Sequence, residues 1–539
     1  MRAARIAGAI LYILFFLFAF LGAGSLSSLA FSALGAAQIF PSAARLIALG
    51  IGAATLASAI GLLLMFLLTL LFGRIYCSVL CPLGIAQDAA IALGRRLGAW
   101  KGSYQKARPA LRAGAFAFAA LVLLSGLPAI ASLFDPYSLS ARFTAYALKP
   151  AFLALGAVVA AIVRAFGGYK RVPLQGFEPV AAIAAIIPMI LISAVAFYKG
   201  RLFCSTLCPV GAVLGALQRI ALFKPRLDEK LCTSCGACAR VCTAHCIDTR
   251  ARVLDSDRCV SCFSCLSVCP TSALGYGRAS AVLVKEHGRP AQGNAQTDCD
   301  KRAFLKSALV GGGAFAVAAL LPAKAAAALA SASASFKGEE ALAPAAPPGA
   351  RTRELFLERC SGCGLCVTKC PSGVLKPSLL RYGARGLLAP YLDYEHSYCQ
   401  YECALCLELC PTGALRRMPL ADKKLAQLGT AALVRDKCIV ITDKTACGAC
   451  AEHCPTGAVR MVAGLRGLSE PLFDEAICIG CGACHHVCPA EPDKAITVRG
   501  KQAQSEALPP GKDLFKPEER MQGEAPAQDE EVNFEEFPF

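Results

Sequence analysis

The chain has 539 residues, of which 55% are hydrophobic and 17% charged, and its formal net charge is +17. The apolar excess falls mostly before residue 225, which excludes a single soluble domain and predicts a membrane part joined to a soluble part. The basic residues cluster beside apolar segments without any nucleic-acid motif, so they read as topology signals and nucleic acid is not an expected partner.

Residues 1–24 combine a basic start with an apolar run. More apolar segments come immediately after, so a first transmembrane helix with its N-terminus inside is expected rather than a cleaved signal. A second span is predicted over 46–72, ending at GRIYCSVLCPLG, residues 73–84. A loop with Arg95, Arg96, Lys101, Lys106, Arg108 and Arg112 comes next and is expected in the cytoplasm. A third span is predicted over 113–134. Two further apolar runs cover 151–167 and 179–198, and the second ends at GRLFCSTLCPVG, residues 200–211. Lys199, Arg201, Arg219, Lys224, Arg226 and Lys230 put this motif on the cytoplasmic side too. Both runs cannot then span, so 151–167, which contains Arg164, is expected to be interfacial or re-entrant.

The two motifs nearly repeat each other. Gly73 and Gly200 permit a tight exit from the membrane. Arg74 and Arg201 are expected at the lipid headgroups, offsetting thiolate charge. Three residues separate the cysteines of each pair, which would set both sulfurs on one side of a helical turn. Together Cys77, Cys81, Cys204 and Cys208 supply the four thiolates of one further iron–sulfur centre at the membrane face. Structural thiols, a copper site and a redox dithiol remain the other readings of these four.

The remaining cysteines are mostly in repeated C-x2-C-x2-C-x3-C runs, a spacing of iron–sulfur ligation rather than of a disulfide framework. A cytoplasmic block at 226–290 holds Cys232, Cys235, Cys238, Cys242 and then Cys259, Cys262, Cys265, Cys269. Two-cluster ferredoxins take each fourth ligand from the other run. One cluster is therefore assigned Cys232, Cys235, Cys238 and Cys269, and the other Cys259, Cys262, Cys265 and Cys242. Cys242 is followed by Thr243 instead of proline, and Cys246 is an extra thiol, read as a bystander in preference to a replacement ligand.

Residues 291–330 contain a basic start, an apolar stretch and AKA, which read as a mid-chain export signal or a transmembrane helix. Either carries the downstream part of the chain across the membrane. An Ala/Ser/Pro-rich linker is expected over 331–352. The block 353–500 holds Cys360, Cys363, Cys366, Cys370; Cys399, Cys403, Cys406, Cys410; Cys438, Cys447, Cys450, Cys454; and Cys478, Cys481, Cys484, Cys488. These sixteen thiols suit four cubanes, with the runs paired either sequentially or first with fourth and second with third. Residues 501–539 hold ten acidic and four basic residues and are expected to be a disordered tail.

Haem is not expected. None of the six histidines lies in a long apolar segment, and both cysteines of CGACH, residues 481–485, are needed by the last cubane run. No Walker loop and no G-x-G-x-x-G occurs, so a terminal substrate site is not seen.

The doubled GR-x-x-C-x3-CP-x-G motif followed by a two-cluster ferredoxin resembles the NapH and MauN membrane iron–sulfur proteins, whose wider group includes NosR and CcoG. Residues 300–500 resemble the four-cluster NapG and MauM proteins. The resemblance implies electron transfer between the quinone pool and a periplasmic oxidoreductase or cytochrome, in the bacterial inner membrane. The alternative it implies is an assembly or copper-reducing factor. The expected fold is multi-domain: an α-helical membrane domain over 1–225, an α+β two-cluster ferredoxin domain and an extracytoplasmic four-cluster domain. The expected cofactors are six [4Fe-4S] clusters, a seventh at the membrane face, and quinone.

Overall fold

The computed structural model describes residues 1–22, 25–49, 55–100, 102–166, 178–278, 344–379, 381–464 and 467–510. The expected export-type segment at 300–328, Cys299, linker residues 331–343 and the tail beyond 510 lie outside them.

The described residues of 1–222 are mostly helical. The helices are α1 (Arg2–Leu21), α2 (Ser25–Ala36), α3 (Ile39–Leu49), α4 (Leu56–Phe72), α5 (Tyr76–Val79), α6 (Pro82–Arg96), α7 (Pro109–Leu124), α8 (Pro128–Ala131), α9 (Pro136–Phe143), α10 (Lys149–Ala165), α11 (Pro179–Lys199), α12 (Leu202–Thr206) and α13 (Pro209–Gln218). A wide turn at Thr144–Leu148 joins α9 to α10. Among the described residues Arg2–Leu21, Pro136–Ala165 and Pro179–Lys199 are long and apolar enough to cross a membrane. Leu11, Leu63 and Leu191 on these and neighbouring helices remain more than half exposed, as lipid-facing side chains would.

The bundle separates two cysteine-rich blocks, an inner one at 223–278 and an outer one at 344–508. At the start of α1, Arg2 Nη1 donates to Ser267 Oγ of the inner block at 3.4 Å; at its end, Gly22 O accepts from Lys369 Nζ of the outer block at 2.6 Å. α11 begins beside the Lys376–Glu178 ion pair at 2.5 Å and ends where Arg201 N donates to Thr243 O at 2.9 Å. α7 likewise starts with Arg112 reaching Asp257 O and ends with Gly126 facing Glu358. The blocks therefore cap opposite ends of the same helices.

Lys149 Nζ donates to Thr368 O, and Glu178 pairs with Lys376, so α10 and α11 both start at the outer block. The connection over 167–177, on which the course expected for 151–167 turns, lies outside the described residues. One apolar stretch, α2–α3, does not make this crossing and was not read from the sequence. Ser27 Oγ accepts from Lys369 and Ala48 O accepts from Arg359, so both its ends face the outer block. Between them, Leu29–Ala36 and Ile39–Leu49 meet at 81°, and the tip residue Gln38 is 1% exposed. Irregular backbone is tolerated at such depth where protein buries it. Here Ser42 Oγ donates to Ala36 O at 2.9 Å, satisfying a carbonyl freed by the bend. The second span expected at 46–72 is accordingly divided between α3 and the 17-residue α4, and the third, expected over 113–134, starts at Pro109 and stops at Leu124.

The blocks are built from short antiparallel pairs. In the inner block β1 (Phe223–Leu227) pairs with β4 (Leu274–Arg278) around both cysteine runs, and β2 (Ile247–Asp248) with β3 (Val253–Leu254). In the outer block β5 (Leu375–Pro377) pairs with β6 (Pro390–Leu392), β8 (Val459–Ala463) with β9 (Ser469–Phe473), and β7 (Ala426–Leu433) with β10 (Ile496–Glu506). The expected linker and tail lose their nearest residues to this block. Ala345, Ala346 and Ala350 are buried, Leu392 N donates to Ala345 O at 3.0 Å, and Gln504 N to Arg351 O at 2.6 Å. Small side chains let 344–352 lie flat on β10 instead of acting as a solvated spacer.

Arg142, buried at the end of α9, holds the outer block to the bundle by donating to Ser361 O at 2.7 Å and Gly362 O at 2.9 Å. Arg142→Ala strands both carbonyls, at about 1–3 kcal/mol for each buried group. The substitution should lower the thermal midpoint and raise hydrogen exchange selectively around 359–365.

Candidate functional site

The two GR-x-x-C-x3-CP-x-G motifs fold alike. Gly73 (φ 73°) and Gly200 (φ 68°) end α4 and α11 in a conformation that favours glycine. Cys77 and Cys204 then sit on the short helices α5 and α12. Cys81 and Cys208 do not continue that turn, contrary to the expectation of one shared helical face. Proline at the first helical position is pre-organised for a new helix, and each cysteine becomes its cap. The Cys81 sulfur accepts from Gly84 N at 3.4 Å and the Cys208 sulfur from Gly211 N at 3.2 Å. The last glycine is also sterically required, because a Cβ there would lie 2.3 Å from Cys77 O or Cys204 O.

All four thiols are within the protein, each about 95% buried, and pack into one apolar core with Tyr76 and the inner-block cysteines. Arg74 and Arg201 are 0% and 1% exposed, so neither sits at a headgroup. Arg74 donates to Asp257 O at 2.8 Å and lies 3.6 Å from Cys77 Sγ. Arg201 donates to Cys77 O at 2.5 Å and Gly84 O at 2.9 Å, and pairs with Asp88 at 2.7 Å. The two arginines are crossed. Arg74 of the first repeat comes up to Gly211 of the second, and Arg201 of the second comes up to Gly84 of the first. Buried charges persist only when hydrogen-bonded or paired, and these carbonyls, Cys77 and Asp88 provide that.

All four thiols are buried close to one another, which disfavours their charged form unless a positive group compensates. Among the described residues no three Cys, His, Asp or Glu side chains converge on a single metal-ion position. A cluster asks for something else, four sulfurs spread around a polynuclear body.

The ferredoxin-type thiols gather in quartets. Cys232, Cys235, Cys238 and Cys269 line one pocket, the same four that the spacing groups together. Cys242 joins Cys259, Cys262 and Cys265 in the buried core. In the outer block Cys370 shares a pocket with Cys399, Cys403 and Cys406. Cys488 shares one with Cys438, Cys447 and Cys450. Cys410 lies with Cys360, Cys363 and Cys366, and Cys454 with Cys478, Cys481 and Cys484. Neighbouring runs therefore pair, first with second and third with fourth, and the nested alternative is not formed. His485 of CGACH is turned to Ile496 O at 2.5 Å.

Cys246 is not a bystander. Its sulfur is 3.5 Å from that of Cys242, it hydrogen-bonds Cys259 as well, and it is 2% exposed. The Cys246 hydrogen bond lowers the pKa of the Cys242 thiol. Thr243, standing where proline was expected, places its hydroxyl 3.6 Å from Cys262 Sγ and its carbonyl against Arg201 N.

Sequence reasoning also missed Tyr12 and Gln38. Gln38 Nε2 donates to Tyr12 Oη at 2.9 Å, and Tyr76 Oη donates to Gln38 Oε1 at 2.5 Å, next to Cys77. A lone glutamine in an apolar region was the available signal.

A family model described as a 4Fe-4S binding domain matches this chain twice, at 54–99 and at 181–228, each time across one Cys-x3-Cys-Pro repeat. Two others, both described as 4Fe-4S dicluster domains, match 359–415 and 445–492. This is an iron–sulfur electron-transfer protein. One dicluster match spans the first and second outer runs, and the other spans the fourth run and the third from Cys447 onward, in keeping with sequential pairing. The "Uncharacterized protein MJ0749" of Methanocaldococcus jannaschii is 33% identical over 69 residues, 13% of this chain and 28% of that protein. The chain thus covers under a third of that relative's length. No solved structure matches the chain.

Seven cubanes would bring about 28 iron atoms per chain, and Cys77→Ser/Cys204→Ser should bring that to about 24. Iron and sulfide analysis of anaerobically purified protein checks this; about 24 in both proteins would remove the seventh centre. Cys246→Ala should keep the iron content and shift one inner-block midpoint to lower potential, because hydrogen bonds to ligand sulfurs raise it. A redox titration followed by EPR reads that shift.

Proposed function

We propose that this chain relays electrons between the quinone pool or cytoplasmic face and an extracytoplasmic, nitrate-reductase-like oxidoreductase or cytochrome. The reading rests on one observation: thiol quartets cap both ends of an apolar helix bundle, and a further buried quartet lies inside it. Cys232, Cys235, Cys238, Cys269 and Cys259, Cys262, Cys265, Cys242 would hold two [4Fe-4S] clusters on the inner side. The four quartets of the outer block would hold four more, and Cys77, Cys81, Cys204 and Cys208 a seventh. Such clusters supply reversible one-electron storage at potentials set by their surroundings.

The chain's own residues set those surroundings. Arg74 and Arg201 supply fixed positive charge beside the four membrane thiols, which stabilises an anionic thiolate site in a poorly solvated interior. The Gly84 and Gly211 amides add donors to Cys81 and Cys208. Burial keeps water from the same sulfurs. The loop at 95–112, rich in arginine, bonds to the inner block through Arg95 and Val241 O at 2.7 Å and through Trp100 and Arg240 O at 2.8 Å. By the positive-inside rule this supports a cytoplasmic inner block and an extracytoplasmic outer one in the bacterial inner membrane.

A menaquinol analogue added anaerobically to oxidised protein should generate EPR signals of reduced clusters within the mixing time of a manual assay. Clusters that respond to dithionite but never to quinol would contradict the quinone-linked reading.

A further inference from the structure

Gln38, which is hydrogen-bonded to Tyr76 beside the membrane thiols, and the outer block are separated by much less than a bilayer. Gln38, hydrogen-bonded to Tyr76, is at the tip of the re-entrant pair, while Leu49 at the end of α3 packs against Gly413 of the outer block. α3 has 11 residues, so at 1.5 Å per residue this depth is about 16 Å. A second measure agrees. Tyr12, the other partner of Gln38, lies ten residues before Gly22, whose carbonyl accepts from Lys369, again about 15 Å of helix.

That interval is filled by rings. Tyr76 shares a core with Cys77, Cys81, Cys204 and Cys208. It connects through the Gln38 amide to Tyr12 by two short hydrogen bonds. The Tyr12 ring is 6.4 Å from that of Phe16, which meets Tyr137 edge-on at 6.4 Å. Phe16 and Tyr137 belong to one buried cluster with Leu365 and Leu409 of the outer block, and Cys363 packs against it. Phe16, Tyr76 and Tyr137 are each 2% exposed or less.

We infer that Tyr76, Gln38, Tyr12, Phe16 and Tyr137 form a bridge for direct electron transfer between the Cys77/Cys81/Cys204/Cys208 site and the Cys360/Cys363/Cys366/Cys410 site, with no quinone needed for this step. The inference rests on the relay reading above. One electron leaves the donor site, which is oxidised by one, and enters the acceptor site, which is reduced by one. No bond is made or broken, no proton moves, and the rings mediate without being oxidised themselves. Electronic coupling falls off less steeply across bonds, hydrogen bonds and packed atoms than across gaps, and a close-packed interior offers few gaps. Tyr137 fits a role for its ring rather than its hydroxyl, because that hydroxyl has no hydrogen-bond partner among the described residues.

The test uses the full chain in quinone-free liposomes, with dithionite trapped inside as reductant, ferricyanide outside as acceptor, and a potassium ionophore to compensate charge. Either orientation of insertion conducts. The wild type should reduce external ferricyanide without added quinone. Phe16→Leu and Tyr137→Leu should slow this several-fold, while Tyr137→Phe retains the wild-type rate. Iron content, EPR spectra and midpoint potentials should be unchanged in all three, which separates a lost bridge from a lost fold or cluster. Conduction that appears only after menaquinone is added would overturn the bridge and leave the relay standing. Wild-type rates in both leucine variants would overturn this route. No conduction with or without quinone would overturn the bridge together with the relay.

Discussion

The structure depends on two guanidinium groups buried among thiols. Taking Arg74 and Arg201 out of water costs several kcal/mol each unless the site repays it. The repayment comes from across the pseudo-repeat: Arg201 binds carbonyls of the first motif, and Arg74 comes up to the second. Neither motif can be completed without the other. The inner block is tied into the same network through Asp257 O and Thr243 O, so the bundle, the four-thiol site and the first ferredoxin block are one unit. Burial disfavours uncompensated thiolates, and an iron–sulfur group would bring the compensating charge to this donor set.

Lipid imposes the second constraint. Every polar group inside the bundle must find a protein partner. The re-entrant pair meets this by burying its bend against α4, where Gly61 allows Ala36 O to approach. Its consequence reaches beyond stability, because it delivers Gln38 to Tyr76 with the outer block about 16 Å of helix away. The outer block is held there by Arg142 of α9, which donates to its Ser361 and Gly362 carbonyls, and by its own Lys369 and Lys376, bonded to the outer ends of α1 and α11. The outer block docked in this way suits the far end of the proposed relay rather than a tethered, freely moving carrier.

Much of this was legible in the cysteine spacing. The run lengths grouped Cys232, Cys235, Cys238 with Cys269 because a short loop cannot surround a cubane, and the same steric fact produces the cavity they line. Spacing could not choose between sequential and nested pairing, since that depends on β7 and β10 framing the third and fourth runs. It also misread the membrane motifs. The Pro after Cys81 and Cys208 restarts a helix, so the two sulfurs of each pair serve different local structures. Composition suggested a headgroup role for Arg74 and Arg201. Only their partners reveal an internal one: Asp257 O lies 183 residues from Arg74 along the chain, and Asp88 lies 113 residues from Arg201. Gln38 escaped notice because its value depends on Tyr12 and Tyr76, distant in sequence and brought together by a bend that hydropathy does not encode.

Everything proposed for the bundle depends on the two repeats holding one shared centre. A high-resolution density map of the anaerobically purified full chain addresses this directly. A single cubane-sized density bonded to the sulfurs of Cys77, Cys81, Cys204 and Cys208, flanked by the Arg74 and Arg201 guanidinium groups, is expected. Four separate thiols, disulfides within the pairs, or a metal bound by one repeat alone would contradict it.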